Sequence, residues 1–377
     1  MQIVEVKAGD TLYALARRYA TTVEALAFDN QIADPARLTP GQSLVIPGGS
    51  AGARRCAEVN AYAYPNIAPE LLQEALPYLT ALCPFSWRFD AQGTLIPLAD
   101  ERLVEAAYAS DTAPMLTLTN IGESGGFSTE LGHVLLTDSV VQDAVLDGVV
   151  ERIRERDYYG LNLNFEYLQP FDRDAYSAFV KRAAERLHPL GCPVSTAIAP
   201  KESAEQEGFL YAAHDYAAHG TYADRVILMT YEWGYTFGAP QAISPVNRIR
   251  RVLDYAVTVI PRRKILLGIS NYAYDWTLPW KQGSAARILS DAAAVELAVS
   301  RGAEIRFDET AAAPWFNYVD AEGRAHVVWF EDARSVLARL RLAEEYRLAG
   351  ISVWTINQRN RTLWKVIEGV FNAEKLL

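Results

Sequence analysis

Glu166 is the last but one residue of a run, Tyr158-Tyr-Gly-Leu-Asn-Leu-Asn-Phe-Glu-Tyr167, in which Asn162, Asn164 and Glu166 occupy alternate positions. In a strand successive side chains point to opposite faces, so these three polar groups share one face and Leu161, Leu163 and Phe165 the other. Taken alone, N-x-N-x-E serves a structural carboxylate as readily as a catalytic one. Other stretches carry a similar mixture: Tyr62 with Tyr64, Asn120, Met229-Thr-Tyr-Glu-Trp233, Asn271 with Tyr272, Tyr274 and Trp276, and Trp354 with Asn357. Flat aromatic faces stack on the C–H surfaces of a sugar, and fixed carboxylates and amides meet its hydroxyls and acetamides. The residue types point to a carbohydrate.

Such residues act together only if the fold gathers them. Apolar, β-rich runs at about 58–64, 80–87, 114–119, 159–166, 193–198, 225–232, 264–270 and 350–355 alternate with amphipathic helical runs, among them Arg102–Ala109, Asp138–Arg156, Asp174–His188 and Val246–Val259. Eight strands with helices between them predict an α/β fold, a (β/α)8 TIM barrel, whose chemistry belongs at the C-terminal ends of the strands. Each polar or aromatic cluster above falls at such an end. The gap before the last strand is too long for one helix. Trp315 through Phe330 reads as a hairpin with a Gly turn, so a small α+β insertion is expected between strands seven and eight, at about 277–335. Ahead of the barrel, residues 1–47 read as strand, helix, helix, strand, with Asp10 or Thr11 capping the first helix. Pro47-Gly-Gly-Ser-Ala-Gly-Ala53 is small and flexible in composition, and a linker is expected over 48–55.

Composition narrows the partner. The 377 residues are 50% hydrophobic and 22% charged, which excludes disordered and fibrous classes. A formal net charge of −10 argues against nucleic acid and against an anionic membrane surface, both of which need clustered Lys and Arg. No run reaches the roughly 18 apolar residues of a membrane helix, and the N-terminus lacks a basic segment followed by an apolar core, so no signal peptide is read. Cys56, Cys83 and Cys192 are far apart and odd in number, and His214 and His219, five residues apart, do not share a helical face. Neither a disulfide framework nor a metal site is suggested, no cofactor is called for, and a monomer is expected.

Two resemblances sharpen this reading. V-x-x-G-D-T-L-x-x-L-A-x-x-Y, followed by N-x-I-x-D-P-x-x-L-x-P-G-Q-x-L-x-I-P, resembles the LysM module along almost its full length. LysM modules bind N-acetylglucosamine polymers such as peptidoglycan and chitin. The resemblance implies a groove with Gly9, Asp10, Thr11 and Leu12 on one wall and Asn30, Gln31 and Ile32 on the other. Tyr159-Gly-Leu-Asn-Leu-Asn-Phe-Glu166 is similar to the fourth-strand signature D-G-x-D-x-D-x-E of glycoside hydrolase family 18, Met229-Thr-Tyr-Glu232 to its sixth-strand M-x-Y-D/E, and Gly350-Ile-Ser-Val-Trp354 to its eighth-strand G-x-x-x-W. Glu58 to Tyr62, Thr119-Asn120 with Gly126-Phe127, and Pro261 through Trp276 resemble the branch of spore cortex-lytic N-acetylglucosaminidases. A LysM module over 1–47, a linker over 48–55 and a catalytic domain over 56–377 follow, with a spore- or cell-wall-associated location.

The resemblance implies substrate-assisted retention, in which the substrate's 2-acetamido oxygen is the nucleophile and one protein acid suffices. Glu166 would be that acid/base, residue 164 would orient the acetamide, Tyr231 would bond its carbonyl oxygen, and Trp354 would floor the reacting subsite. Asn162, Tyr62, Asn120, Met229, Glu232, Trp233, Asn271 and Trp276 would complete the substrate site. The family's Asp two before the acid is Asn164 here. Its amide oxygen still accepts an acetamide N–H but supplies no negative charge, and loss of one preorganised electrostatic contact costs about 10²–10³ in rate. Expected is a retaining hydrolase of β-1,4 linkages at N-acetylglucosamine in peptidoglycan, specifically spore cortex fragments. A weakly active N-acetylglucosamine-polymer binding protein and a chitinase stand as alternatives.

Overall fold

The computed structural model describes residues 1–46, 48 and 54–377. Eight parallel strands form a closed barrel: Arg55–Ala63, Ala81–Pro84, Ala113–Thr119, Gly160–Asn164, Val194–Ile198, Arg225–Leu228, Ile265–Ser270 and Gly350–Trp354. The first and last close the ring in register, Gly350 opposite Glu58 and Val353 opposite Ala61. Only Gly48, Arg54 and Arg55 of the expected linker are described, and Arg55 already opens the first strand; the rest of that expectation lies outside the described residues.

The helices form where the helical periods lie. Ser139–Arg156 starts on Asp138, whose carboxylate accepts from Val140 N and Val141 N. It stops at Asp157, which takes the left-handed conformation at φ 54° and turns the chain into the fourth strand. On that strand the alternation works as a sorting rule. Leu161, Leu163 and Phe165 are buried against helices, with the Phe165 ring 5.5 Å from Tyr176 and 5.9 Å from Phe179 of Arg173–Leu187. The opposite face fills the barrel with polar groups.

Between strands seven and eight the insertion is a five-stranded antiparallel sheet, Ala273–Leu278, Arg287–Leu289, Arg306–Asp308, Ala313–Val319 and Ala325–Trp329, carrying one helix, Asp291–Arg301. It starts at Ala273, four residues before the expected boundary. Its central hairpin turns at Gly323, φ 80°.

The N-terminal unit is strand Gln2–Glu5, helices Leu12–Arg18 and Val23–Asp29, and strand Ser43–Ile46, with Thr11 rather than Asp10 as the first cap. It is seated directly on the larger domain. Pro40 O accepts from Ile305 N (3.0 Å), Thr39 Oγ1 donates to Ala303 O (2.6 Å), and Arg334 bridges Glu5 and Gly41 O. Among the described residues no helix is long and apolar enough to cross a membrane.

Candidate active site

Glu166 lies two residues beyond the fourth strand, and its peptide is held before its side chain is considered. Asn120, from the end of the third strand, accepts from Glu166 N (3.0 Å) and donates to Glu166 O (2.8 Å) and to Ser128 O (3.1 Å). The fully buried Asn120 amide is spent on this backbone, which makes it a clamp on Glu166 rather than a surface offered to a ligand. One residue earlier, Phe165 O accepts from His214 Nε2 (3.0 Å) while His214 Nδ1 accepts from Ala199 N (3.0 Å). Those roles fix the Nε2–H tautomer, and burial pushes His214 down to about 4, so it stays neutral. The Glu166 carboxyl is pushed up to about 7, chiefly by removal from water and secondly by the nearby charge of Glu232.

Beneath Glu166 the two amides differ. Asn162 is engaged at both ends: its Oδ1 accepts from Tyr62 OH (3.0 Å) and its Nδ2 donates to Ser195 Oγ (2.8 Å). Asn164 is 2% exposed, and its Oδ1 is buried with no hydrogen-bond partner among the described residues. A buried acceptor left unpaired costs about 1–3 kcal/mol, so it is a place where a donor would be welcome.

Trp354 forms an aromatic base, its ring 4.7 Å from Phe85, 5.3 Å from Tyr62 and 6.0 Å from Tyr64, all edge-on. Met229 is buried in the same cluster, and Tyr231 packs against it. The Tyr231 hydroxyl is pushed well above its ordinary value by burial and then by Glu166 and Glu232, so it remains a donor. Glu232, at φ 66°, accepts from Tyr272 OH and from Tyr274 OH (2.9 Å). Desolvation raises its carboxyl despite those two bonds.

Three other expected contacts have their polar atoms engaged by the protein itself. Asn271 uses both amide atoms, donating to Thr355 O (2.7 Å) and accepting from Asn360 Nδ2 (2.9 Å). Trp276 is 1% exposed and its indole N–H is spent on Gly238 O, in the loop after the sixth strand. Trp233 packs against the main core and anchors a loop through Ile243 O. Sequence reading missed Phe85, whose only signal is an aromatic at the end of strand two. It also missed Trp315 and Trp329, stacked at 5.8 Å in the cluster with Tyr231 and Trp354, because their hairpin's place over the barrel is a tertiary fact.

In the N-terminal unit, Gly9 (φ 85°) and Asp10 form an exposed turn, with Asp10 accepting from Lys7 N (2.8 Å). Thr11 caps its helix and Leu12 is core. Asn30 pins the last strand through Val45 N and O, Ile32 packs against the unit's core, and Gln31 reaches across to the larger domain.

The chain is similar to known proteins over its whole length. The family Glycosyl hydrolases family 18 matches residues 112–358 and the LysM domain matches residues 4–47. The cortical fragment-lytic enzyme of Bacillus subtilis (strain 168) is 43% identical, covering 100% of this chain and 99% of that protein. The crystal structure of the Bacillus cereus spore cortex-lytic enzyme SleL superposes with a TM-score of 0.93 at 34% identity, covering 99% of this chain and 98% of that one. The Bacillus megaterium QM B1551 enzyme SleL gives a TM-score of 0.83 at 37% identity over 100% of this chain and 87% of that one.

Proposed function

The chain belongs to the glycosyl hydrolases of family 18 and carries a LysM domain, and from that premise we propose that it cleaves β-1,4 linkages at N-acetylglucosamine in spore cortex peptidoglycan, with retention, using Glu166 as its acid/base. The cortical fragment-lytic name of its relatives supports the substrate. The observation that carries the mechanism is a half-buried Glu166 pushed to about 7, above a buried acceptor, Asn164 Oδ1, that has no partner. An acid held near neutrality is protonated when the reaction begins and ionised afterwards, as a group that first gives and later takes a proton must be.

In the proposed step Glu166 delivers its proton to the glycosidic oxygen as the acetamide oxygen of the same sugar attacks C1. The C1–O bond breaks, the alcohol leaves and an oxazolinium forms. Asn164 Oδ1 accepts the acetamide N–H and Tyr231 OH donates to its carbonyl oxygen, which holds the nucleophile in line. Water then attacks C1, gives its proton to the Glu166 carboxylate and restores the acetamide with retained configuration. Residues 1–47 hold the wall in this division of labour, residues 56–377 cut, and the enzyme works at the spore cortex.

Release of reducing ends from cortical fragments tests this. Glu166→Gln is expected to lose about 10²–10⁴-fold in kcat while still sedimenting with the glycan. Equal turnover by wild type and Glu166→Gln would end the reading.

A further inference from the structure

Gln31 was expected to face glycan, yet both ends of its amide are engaged by the catalytic domain. Its Oε1 accepts from Arg361 N (2.5 Å) and its Nε2 donates to Arg359 O (3.0 Å), so it grips the backbone on either side of Asn360. The neighbouring contacts reinforce this seat. Thr362 Oγ1 donates to Asp29 O (3.2 Å), and the Arg361 guanidinium lies 3.8 Å from the centre of the Phe28 ring.

Asn360 leads inward. It caps the last helix, Arg361–Val370, by accepting from Leu363 N (2.9 Å), and its Nδ2 donates to Asn271 Oδ1 (2.9 Å) and to Asp291 Oδ2 (3.2 Å). Asn271 in turn donates to Thr355 O (2.7 Å) and Gln358 O (3.3 Å), and its backbone N–H to Trp354 O (3.1 Å). The path from Gln31 to the aromatic base thus runs through two buried amides. Residues 355–360 belong to no helix or strand. Their near half is tied to the end of the first strand through Ile356 N to Tyr62 O and Tyr64 N to Asn357 Oδ1, whereas the backbone of their far half is held by Asn271 and Gln31, with the Arg359 and Arg361 side chains paired to Glu74.

We propose that Gln31 is a positioning residue for the reaction: the N-terminal module, by clamping the chain around Asn360, holds the Trp354 end of the reacting subsite in place. This rests on the proposed reading that Trp354 floors that subsite. The module then serves turnover itself as well as attachment to the wall.

The test uses the full chain and a purified peptidoglycan tetrasaccharide, a soluble substrate whose cleavage needs no wall attachment. Gln31→Ala is expected to lower kcat about three- to tenfold, a fraction of the 10²-fold that a full 1 Å misplacement costs. KM should stay within about twofold and the thermal midpoint unchanged, with faster amide exchange confined to 355–361. Gln31→Glu keeps the acceptor for Arg361 N and should recover most of kcat. Glu24→Ala, an exposed change on the helix that precedes Gln31, should match wild type. A Gln31→Ala kcat within twofold of wild type, in an enzyme that still depends on Glu166, overturns the coupling alone. Turnover indifferent to Glu166 overturns the proposed function and this inference with it.

Discussion

Glu166 holds its proton up to about neutral pH because its surroundings disfavour the charge, and the sign of that effect makes it measurable. With its carboxyl near 7, kcat/KM should fall on the alkaline side of about pH 7 as the general acid ionises. Glu232 is the second cause of the shift, so Glu232→Gln removes a repelling charge and should move that limb to lower pH. A limb unmoved in Glu232→Gln would show desolvation acting alone. Stability follows the same sign. A folded pKa near 7 above the ordinary 4.5 means the folded state binds the proton more tightly, so the contribution present at low pH is lost as pH rises through 7. Glu166→Gln should therefore raise the thermal midpoint at pH 8 and leave it unchanged at pH 4, by about 1–2 kcal/mol once the open cleft is allowed for. In the proposed mechanism Asn164 limits the rate. Asn164→Asp restores a negative charge beside the developing oxazolinium and should speed turnover, about tenfold or more, against tetrasaccharide; no gain would mean the site is built around the amide. N-x-N-x-E was legible as a motif, but Asn120 and His214 holding the backbone around Glu166 were not, because neither stands near it in the chain.

At the scale of elements, the barrel brings strand ends together through close backbone approach, and glycines mark where. A Cβ on Gly268, in the seventh strand, would meet Leu228 O at 2.5 Å and the Tyr231 ring at 2.9 Å. A Cβ on Gly160, at the foot of the fourth strand, would meet Pro193 O at 2.4 Å. Both alanine substitutions force backbone to move and should each cost about 1–3 kcal/mol in denaturant unfolding. Only Gly268→Ala displaces Tyr231, so only it should lower kcat out of proportion to its loss of stability. Equal kcat values in the two variants would detach Tyr231 from the chemistry. All eight strands and the helices at 102–109, 138–156, 174–188 and 246–259 were legible to within a few residues, because each repeats its period over several turns or alternations. The insertion's start was not: Ala273–Leu278 continues the β pattern of the seventh strand after a break of two residues, and only pairing with Ala325–Trp329 assigns it to another sheet.

At the scale of the molecule, a unit expected to hang on a linker is built into the body of the enzyme. Gly41 (φ 81°) has its α-carbon so close to the insertion that a Cβ would lie 1.7 Å from Ile305 O. Gly41→Ala should therefore unseat the module, seen as a larger radius of gyration in solution scattering and faster proteolysis between the two units. An unchanged radius would count against the docked arrangement. The sequence by itself determined the two folds and the order of strands, since period, caps and turn residues act over neighbours in the chain. Only the tertiary structure decided which polar residues face substrate and which are spent holding backbone. Asn120, Asn271 and Gln31 carry amides as suited to a sugar as that of Asn164, but their partners lie 46, 84 and 330 residues away. A hydrogen bond depends on distance in space, which residue type and local period do not encode.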